Sequence, residues 1–345
     1  MEKKSYGVLL IGCGHIGESH IEEIYYREGI RIAGVVDFHA ETARLFARKY
    51  GAESWGTDYR PFLQGDAVDI VIIATYADSH LPILKDCLAA GKHVLCEKPM
   101  TEANEADAAE FYRLAQNAQT KVLIAHILRH NTTYNRVREM ILGGAIGEVR
   151  LMRMVQNHHV MNPGRYGRLM ADCPPFVDCG VHYIDVARWL SGLEIVSVGG
   201  VGSRIGSLAP ADGFDHGLLT MKLSNGGTVL YEAGWSESIA AENRKEFIGD
   251  KGRIRLTLAQ DRHADREEGD LIEYYNADAK EYHTINVQSI YKNMWEQLQC
   301  LIRMIEEGDA GSPTLADAYR AFRIALLGWQ ACREGKVLEV PESFD

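Results

Sequence analysis

"LLIGCGHIGESH", Leu9 to His20, puts Gly12, Gly14 and Gly17 within six positions, directly after an apolar run and directly before a helix-forming one. That order decides how the first part of the chain folds. A short apolar strand that enters a glycine-rich turn and leaves it as a helix opens a βαβ unit. The first glycine permits the tight turn, the second lets the backbone approach a pyrophosphate, and the third lets helix and strand pack closely. The helix N-terminus then offers N–H groups and a partial positive charge to phosphates. Asp37 ends the next apolar run, 20 residues beyond Gly17, where a carboxylate accepts hydrogen bonds from a ribose. A glycine-rich turn followed by a capping Asp is the plainer alternative. Strand, helix and acid in register favour a dinucleotide.

Asp37 also bears on which dinucleotide binds. A carboxylate repels the 2′-phosphate of NADP, and the next residues are Phe38 and His39 rather than a phosphate-clamping Arg. NAD is the expected cofactor and NADP the less favoured one, with Arg44 leaving dual use open.

Working outward, short apolar runs at 7–11, 32–36, 70–74, 93–96 and 122–125 alternate with amphipathic stretches at 15–27, 40–50, 79–90 and 104–116. Strands spaced by helices predict a doubly wound parallel sheet with both faces covered, a Rossmann α/β domain over residues 1–125. Gly51 and Gly91 stand where helices end. Beyond residue 126 the rhythm changes. Apolar runs at 149–155, 195–201, 218–223, 228–231 and 253–258 are partly separated by turn signals such as Asn225-Gly226-Gly227. With helices at 182–190, 291–307 and 316–334, residues 126–345 read as an α+β domain with a large, mostly antiparallel open sheet.

Composition narrows the function classes. The 345 residues are 46% hydrophobic and 25% charged, as in an ordinary globular protein, and long enough for two domains. The net charge of −11 argues against nucleic acid or an anionic membrane as partner. No apolar run approaches the roughly 20 residues that span a bilayer. Seven scattered cysteines without a Cys-x-x-Cys suit free thiols and a cytoplasmic location. The short apolar run before Cys13 resembles a lipobox, but the glycine turn that follows reads as folded enzyme.

At "GKHVLCEKPM", Gly91 to Met100, the chain resembles the Gfo/Idh/MocA oxidoreductases, nicotinamide-dependent dehydrogenases of sugars, inositols and related compounds. Glu97-Lys98-Pro99 is that family's signature. "ATYADSH" resembles its Thr-Pro-x-x-x-His stretch, with Tyr76 in place of proline and His80 retained. "LRHNTTYNRVREMILGGAIGEV" resembles its entry into the second domain, "DCGVHYIDVARWL" its Asp-x-Gly-x-His-x-x-Asp motif, "EFIGDKGRI" a later strand pair, and "PTLADAYRAF" with "GKVLEV" its C-terminal helix. Cys173-Pro174-Pro175-Phe176-Val177 departs from the family's glycine-rich segment, and two prolines stiffen it.

Cofactor contacts are expected at Gly12, Gly14, His15, Ile16, Gly17, Asp37, Phe38, Thr75, Tyr76, His80, Glu97 and Lys98. Asp178 and His182 stand at i and i+4, on one face of a helix. A carboxylate beside an imidazole fixes its tautomer, so His182 can take a hydroxyl proton. Lys98 follows a strand at the sheet's carboxyl edge and can stabilise alkoxide charge. The resemblance implies catalysis by the same three residues. Read singly they are a helix cap, a buried histidine and a surface lysine. Asp185, one turn beyond His182, reads as a supporting partner.

Residues 153–175 offer Asn157, His158, His159, Arg165, Tyr166 and Arg168 to a polyhydroxylated ligand. Arg165 and Arg168 either meet a substrate carboxylate or form a solvated basic loop. Arg129 and Trp235 are further pocket candidates. His158, His159, Cys173, Cys179 and His182 match no compact zinc spacing, so no metal is expected. The expected activity is NAD-dependent oxidation of a hydroxyl of a small-molecule sugar, cyclitol or sugar acid, by a homodimer or homotetramer. The alternatives are an NAD-retaining glycoside hydrolase and a non-catalytic ligand sensor.

Overall fold

The computed structural model describes residues 5–157, 174–206, 213–236, 238–259, 269–290 and 292–344. Its contacts divide the chain into two units, Met1–His130 with Lys292–Tyr319, and Asn131–Tyr291 with Arg320–Asp345.

The first unit holds strands β1 (Tyr6–Ile11), β2 (Ile30–Val36), β3 (Trp55–Gly56), β4 (Ile70–Ile73), β5 (His93–Cys96) and β6 (Val122–Ile124). They pair in the order β3-β2-β1-β4-β5-β6, every pair parallel, which is the doubly wound order. β1 and β4 are buried along their whole length, as expected of parallel strands covered on both faces. Helices α1 (His15–Ile24), α2 (Ala40–Tyr50), α3 (His80–Ala89) and α4 (Glu105–Gln116) connect the strands. Asn104 caps α4 by accepting from the amides of Ala106 and Asp107.

The division differs from the one drawn at residue 125. Residues 126–130 stay with the first unit, and residues 292–319 return to it from far along the chain. The return has a hydrophobic cause. Leu298, Cys300, Leu301 and Met304 share one core with Tyr6, Val8, Leu10, Ile21 and Ile24. Tyr6 Oη also donates to Glu306 at 2.9 Å, and the Trp295 amide donates to Glu23 at 3.0 Å.

The second unit carries helix α5 (Thr132–Leu142), strand β7 (Val149–Asn157), a helical turn at Pro175–Asp178, and helix α6 (Gly180–Ser191). Strands β8 (Ile195–Ser203), β9 (His216–Leu223), β10 (Thr228–Gly234), β11 (Lys245–Gly249), β12 (Gly252–Thr257), β13 (Asp270–Asn276), β14 (Glu281–Val287) and β15 (Leu338–Glu339) follow. The nine strands run β14-β13-β12-β11-β7-β10-β9-β8-β15, antiparallel except where β10 meets β7. Tyr231, Met154, Lys245 and Leu256 form one transverse row across β10, β7, β11 and β12. Helices α7 (Met294–Glu306) and α8 (Leu315–Glu334) complete the chain. Among the described residues, no helix is long and apolar enough to cross a membrane.

His130, in the first unit, is buried, and burial together with Arg303, Arg129 and His126 lowers its pKa to about 4, against the Ser312 backbone contact. An unfolded histidine titrates near 6.5, so the unfolded chain binds the extra proton between those values. The stabilisation is fully present above about pH 6.5 and is lost as pH falls toward 4, roughly 3 kcal/mol in all. The urea midpoint should therefore drop between pH 7 and pH 5, and His130→Gln should flatten that dependence. An equal pH slope in the variant refutes the assignment.

Candidate active site

The glycine turn has the three properties its spacing predicts. Gly12 lies at φ +97°, and a Cβ on it would stand 2.5 Å from the Ala74 carbonyl oxygen, so only glycine suits the position. A Cβ on Gly14 would meet nothing within 4 Å, leaving open space beside the backbone. A Cβ on Gly17 would fall 1.9 Å from the Gly12 carbonyl oxygen, the measure of how closely α1 crosses the turn. Gly14 is the N-cap of α1, whose first-turn amides have no acceptor within the helix. The turn thus fits a pyrophosphate in shape and in donors.

Asp37 Oδ2 accepts from the Cys13 amide at 3.0 Å and Oδ1 from the His39 amide at 2.9 Å. These bonds fix the carboxylate while leaving lone pairs for a ribose. Phe38 beside it is 74% exposed, a large apolar ring available to a ligand. Arg44 forks onto Glu41 at 2.9 and 2.7 Å rather than lying idle for a 2′-phosphate. Burial and the Asp37 charge push the Cys13 thiol up to about 12, so it stays protonated.

The ends of β4 and β5 bring the next group together. Thr75 Oγ1 accepts from Ser79 Oγ at 2.7 Å. His80 is buried, its Nδ1 3.0 Å from the Pro99 carbonyl and its Nε2 3.2 Å from the Thr75 carbonyl, so one ring ties the two turns together. Burial lowers its pKa against both carbonyls, which favours the neutral ring. Glu97 is buried, with Oε1 2.8 Å from Nε2 of the wholly buried His20 and Oε2 accepting the Lys98 amide at 3.2 Å. Burial works to raise the Glu97 carboxyl. The His20 hydrogen bond, the His20 and Lys98 charges and the Lys98 amide outweigh it and hold the carboxyl below the usual range. An ionised, anchored carboxylate therefore supports the turn that presents Lys98.

In the second unit, Asp178 ends the turn Pro175–Asp178 and His182 lies in the first turns of α6. The expected single helix is in fact two segments. Cys179 joins them at φ −85°, ψ −37°, still right-handed, and the His182 amide bonds the Cys179 carbonyl at 3.2 Å instead of the residue four back. Asp178 and His182 thus remain on successive turns. Asp178 is buried and accepts from the Cys179 thiol at 3.4 Å. Tyr231 on β10 is fully buried, and its phenol is pushed up by burial and by the Cys179 and Asp178 charges, so it remains a protonated donor. Its ring stacks on Tyr183 at 5.1 Å. Neither Tyr231 Oη nor Trp235 Nε1 has a hydrogen-bond partner among the described residues, and both are buried. Two dry donors of this kind suit a ligand rich in hydroxyls.

The family profile described as "Oxidoreductase family, NAD-binding Rossmann fold" matches residues 6–126, and that of the Gfo/Idh/MocA C-terminal domain matches residues 134–255. The chain belongs to the Gfo/Idh/MocA oxidoreductase family. It is 31% identical over 250 residues to inositol 2-dehydrogenase 2 of Saccharopolyspora erythraea, covering 72% of this chain and 72% of that protein. It is 29% identical over 255 residues to the inositol 2-dehydrogenase of Corynebacterium glutamicum, covering 73% and 74% respectively. Its fold matches that of an oxidoreductase from Agrobacterium radiobacter in complex with NAD+, L-tartaric acid and magnesium, at a TM-score of 0.85 and 19% identity, over 98% of this chain and 99% of that one.

Within this Gfo/Idh/MocA oxidoreductase, the structure places Gly12, Gly14, His15, Ile16, Gly17, Asp37, Phe38, Thr75, Tyr76, His80, Glu97 and Lys98 in the NAD-binding unit. Arg129 is also there, buried and paired with Asp317 at 3.2 Å. Asp178, His182 and Trp235 belong to the second unit. His158, Arg165, Tyr166 and Arg168 lie outside the described residues. Sequence reading missed His20, Tyr231 and Lys245. Lys245 is wholly buried, donates to the Val155 carbonyl at 2.9 Å and to Asn243, and lies 4.6 Å from the Tyr183 ring centre. The alternation of Val229, Tyr231 and Ala233 signals an inward Tyr231; nothing in the sequence around Lys245 marks it as buried.

Proposed function

We propose that this protein oxidises a hydroxyl of a cyclitol, sugar or sugar acid with NAD. The observation that carries the reading is the segment Asp178–His182, which stays right-handed through Cys179 and sets a carboxylate and an imidazole on successive turns. The inositol 2-dehydrogenases among the relatives support the substrate class. In this reading neutral His182 takes the hydroxyl proton, and Asp178 holds the ring and stabilises the imidazolium it becomes. Lys98 donates a hydrogen bond to the reacting oxygen and lowers the energy of its developing negative charge. Bound NAD supplies the hydride acceptor. Tyr231 and Trp235 orient the remaining hydroxyls.

The direct test is a panel of inositols, sugars and uronates with NAD, followed by NADH absorbance. Steady NADH formation with at least one neutral polyol or sugar acid is expected. Cleavage of a glycoside without net NADH would instead assign a hydrolase that retains its cofactor. Lys98→Met should lower the rate while NAD still binds.

Asp37 carries the cofactor preference. kcat/KM with NAD should exceed that with NADP, and Asp37→Ser should narrow the gap. Equal or better use of NADP by the unaltered enzyme refutes the preference. The protein is further proposed to form a dimer or tetramer through the face of the second sheet that carries the Arg153–Glu246 pair at 3.0 Å. Light scattering should give a multiple of the single-chain mass; a monomer would refute it.

A further inference from the structure

The second unit buries a lysine between apolar neighbours. Lys245 on β11 is wholly buried, and the residues beside it in the transverse row, Met154 on β7 and Leu256 on β12, are apolar. Burying an ammonium costs desolvation free energy, and an apolar side chain of similar size would suit such a row at least as well. What the lysine does is hold one ring. Its Nζ donates to the Val155 carbonyl at 2.9 Å and to Asn243 Oδ1, and it stands 4.6 Å from the centre of the Tyr183 ring. Tyr183 Oη lies 3.5 Å from the same Asn243 oxygen, so ammonium, amide and phenol form a closed set of contacts. Tyr183 directly follows His182 in α6, the helix that packs on β7 and β10. From β10, on the other side of β7, Tyr231 stacks on the same ring, with centres 5.1 Å and planes 25° apart. The edge of Tyr231 in turn touches the helix, since a Cβ on Gly180 would lie 3.2 Å from its Cε1. The stack thus starts at a buried charge and ends at the buried Tyr231 hydroxyl, which has no partner among the described residues.

We propose that Lys245 is a positioning residue: acting through the Tyr183 ring, it holds the Tyr231 hydroxyl and the turn of α6 that carries His182 in one arrangement. A cation over an aromatic face is attracted by the ring's quadrupole, and the attraction strengthens when both are desolvated. The ammonium is itself tied to the β7 backbone at Val155, so the Tyr183 ring is fixed to the sheet and not merely to another side chain. Stacking passes that constraint on to Tyr231. Its meaning for turnover rests on the proposed dehydrogenase reading, but the stack does not, so the two can fail separately.

The test reads geometry and turnover side by side. The full-length protein is made with ring-fluorinated tyrosine, and the Tyr231 fluorine signal is assigned as the one missing from Tyr231→Phe. In Lys245→Met, which keeps an unbranched chain and removes the charge, the Tyr231 signal should shift and broaden as its ring gains freedom. The same variant should lower kcat for the best hydroxyl substrate by about 10- to 100-fold, the loss expected of misplaced reacting groups, while NAD affinity is kept. Tyr183→Leu, which removes the ring and keeps the lysine, should do likewise. The double variant should lose no more than the worse single one, because both changes act along one path. A lysine that merely stabilised the sheet would give additive losses in kcat, or a lower melting temperature with kcat intact. Either result overturns the proposal, as does an unmoved Tyr231 signal in Lys245→Met. If that variant shows no cooperative thermal transition, Lys245→Gln takes its place and is read in the same way. If the signals move as expected but no hydroxyl compound is oxidised, the stack stands and the dehydrogenase reading falls.

Discussion

His182→Ala is expected to slow hydroxyl oxidation by about 10²–10⁴-fold while NAD binding, a property of the other unit, is kept. The proposed base must be neutral to accept a proton, and protonated to return one when a ketone is reduced. Oxidation by the unaltered enzyme should therefore weaken as pH falls through the His182 pKa, and reduction should weaken as pH rises through it. An ionised Asp178 nearby favours imidazolium, so Asp178→Asn should move both limbs toward lower pH. In His182→Ala the opposed limbs should vanish along with the rate. A variant that keeps both would mean that another group moves the proton.

The second large effect separates two glycines three residues apart. Gly17→Ala puts a methyl 1.9 Å from the Gly12 carbonyl oxygen, which is backbone and cannot swing aside. The crossing of α1 over the turn must open, at a cost of about 1–3 kcal/mol, and the distorted turn should bind NAD at least tenfold more weakly. Gly14→Ala meets no atom within 4 Å. It should leave the melting temperature of the unliganded protein nearly unchanged, yet weaken NAD, because the methyl fills the space left for the pyrophosphate. Calorimetric titration with NAD beside thermal unfolding checks both. Equal loss of stability in the two variants would overturn the distinct roles assigned to these glycines.

Legibility of the fold followed the strength of local signals. β1, β4 and β5 are short, mainly apolar runs, β1 leading directly into the glycine turn, and the doubly wound order follows once they are strands. β13 and β14 were unmarked because polar residues break up their apolar ones, Asp270, Glu273 and Asn276 in β13 and Glu281, His283, Thr284 and Asn286 in β14, and β14 is almost wholly exposed, so no apolar run announces them. The split at Cys179 was equally invisible, since its dihedrals stay helical and only the hydrogen-bond step shortens. Glu97 and Lys98 stand inside a recognisable motif. His20 reaches the same carboxylate from elsewhere in the chain, and no short window of sequence contains all three.

The return of residues 292–319 has a consequence for how the protein is made on a ribosome. β1 and α1 are synthesised first, yet part of their apolar cover, Leu298, Leu301 and Met304, comes from near the other end of the chain. Through most of translation that patch stays bare and must be kept from other nascent chains. The NAD-binding unit thus cannot finish folding as it emerges, but waits for α7. A fragment ending at His130 should precipitate or recruit chaperones, and supplying a peptide of residues 292–319 should restore solubility.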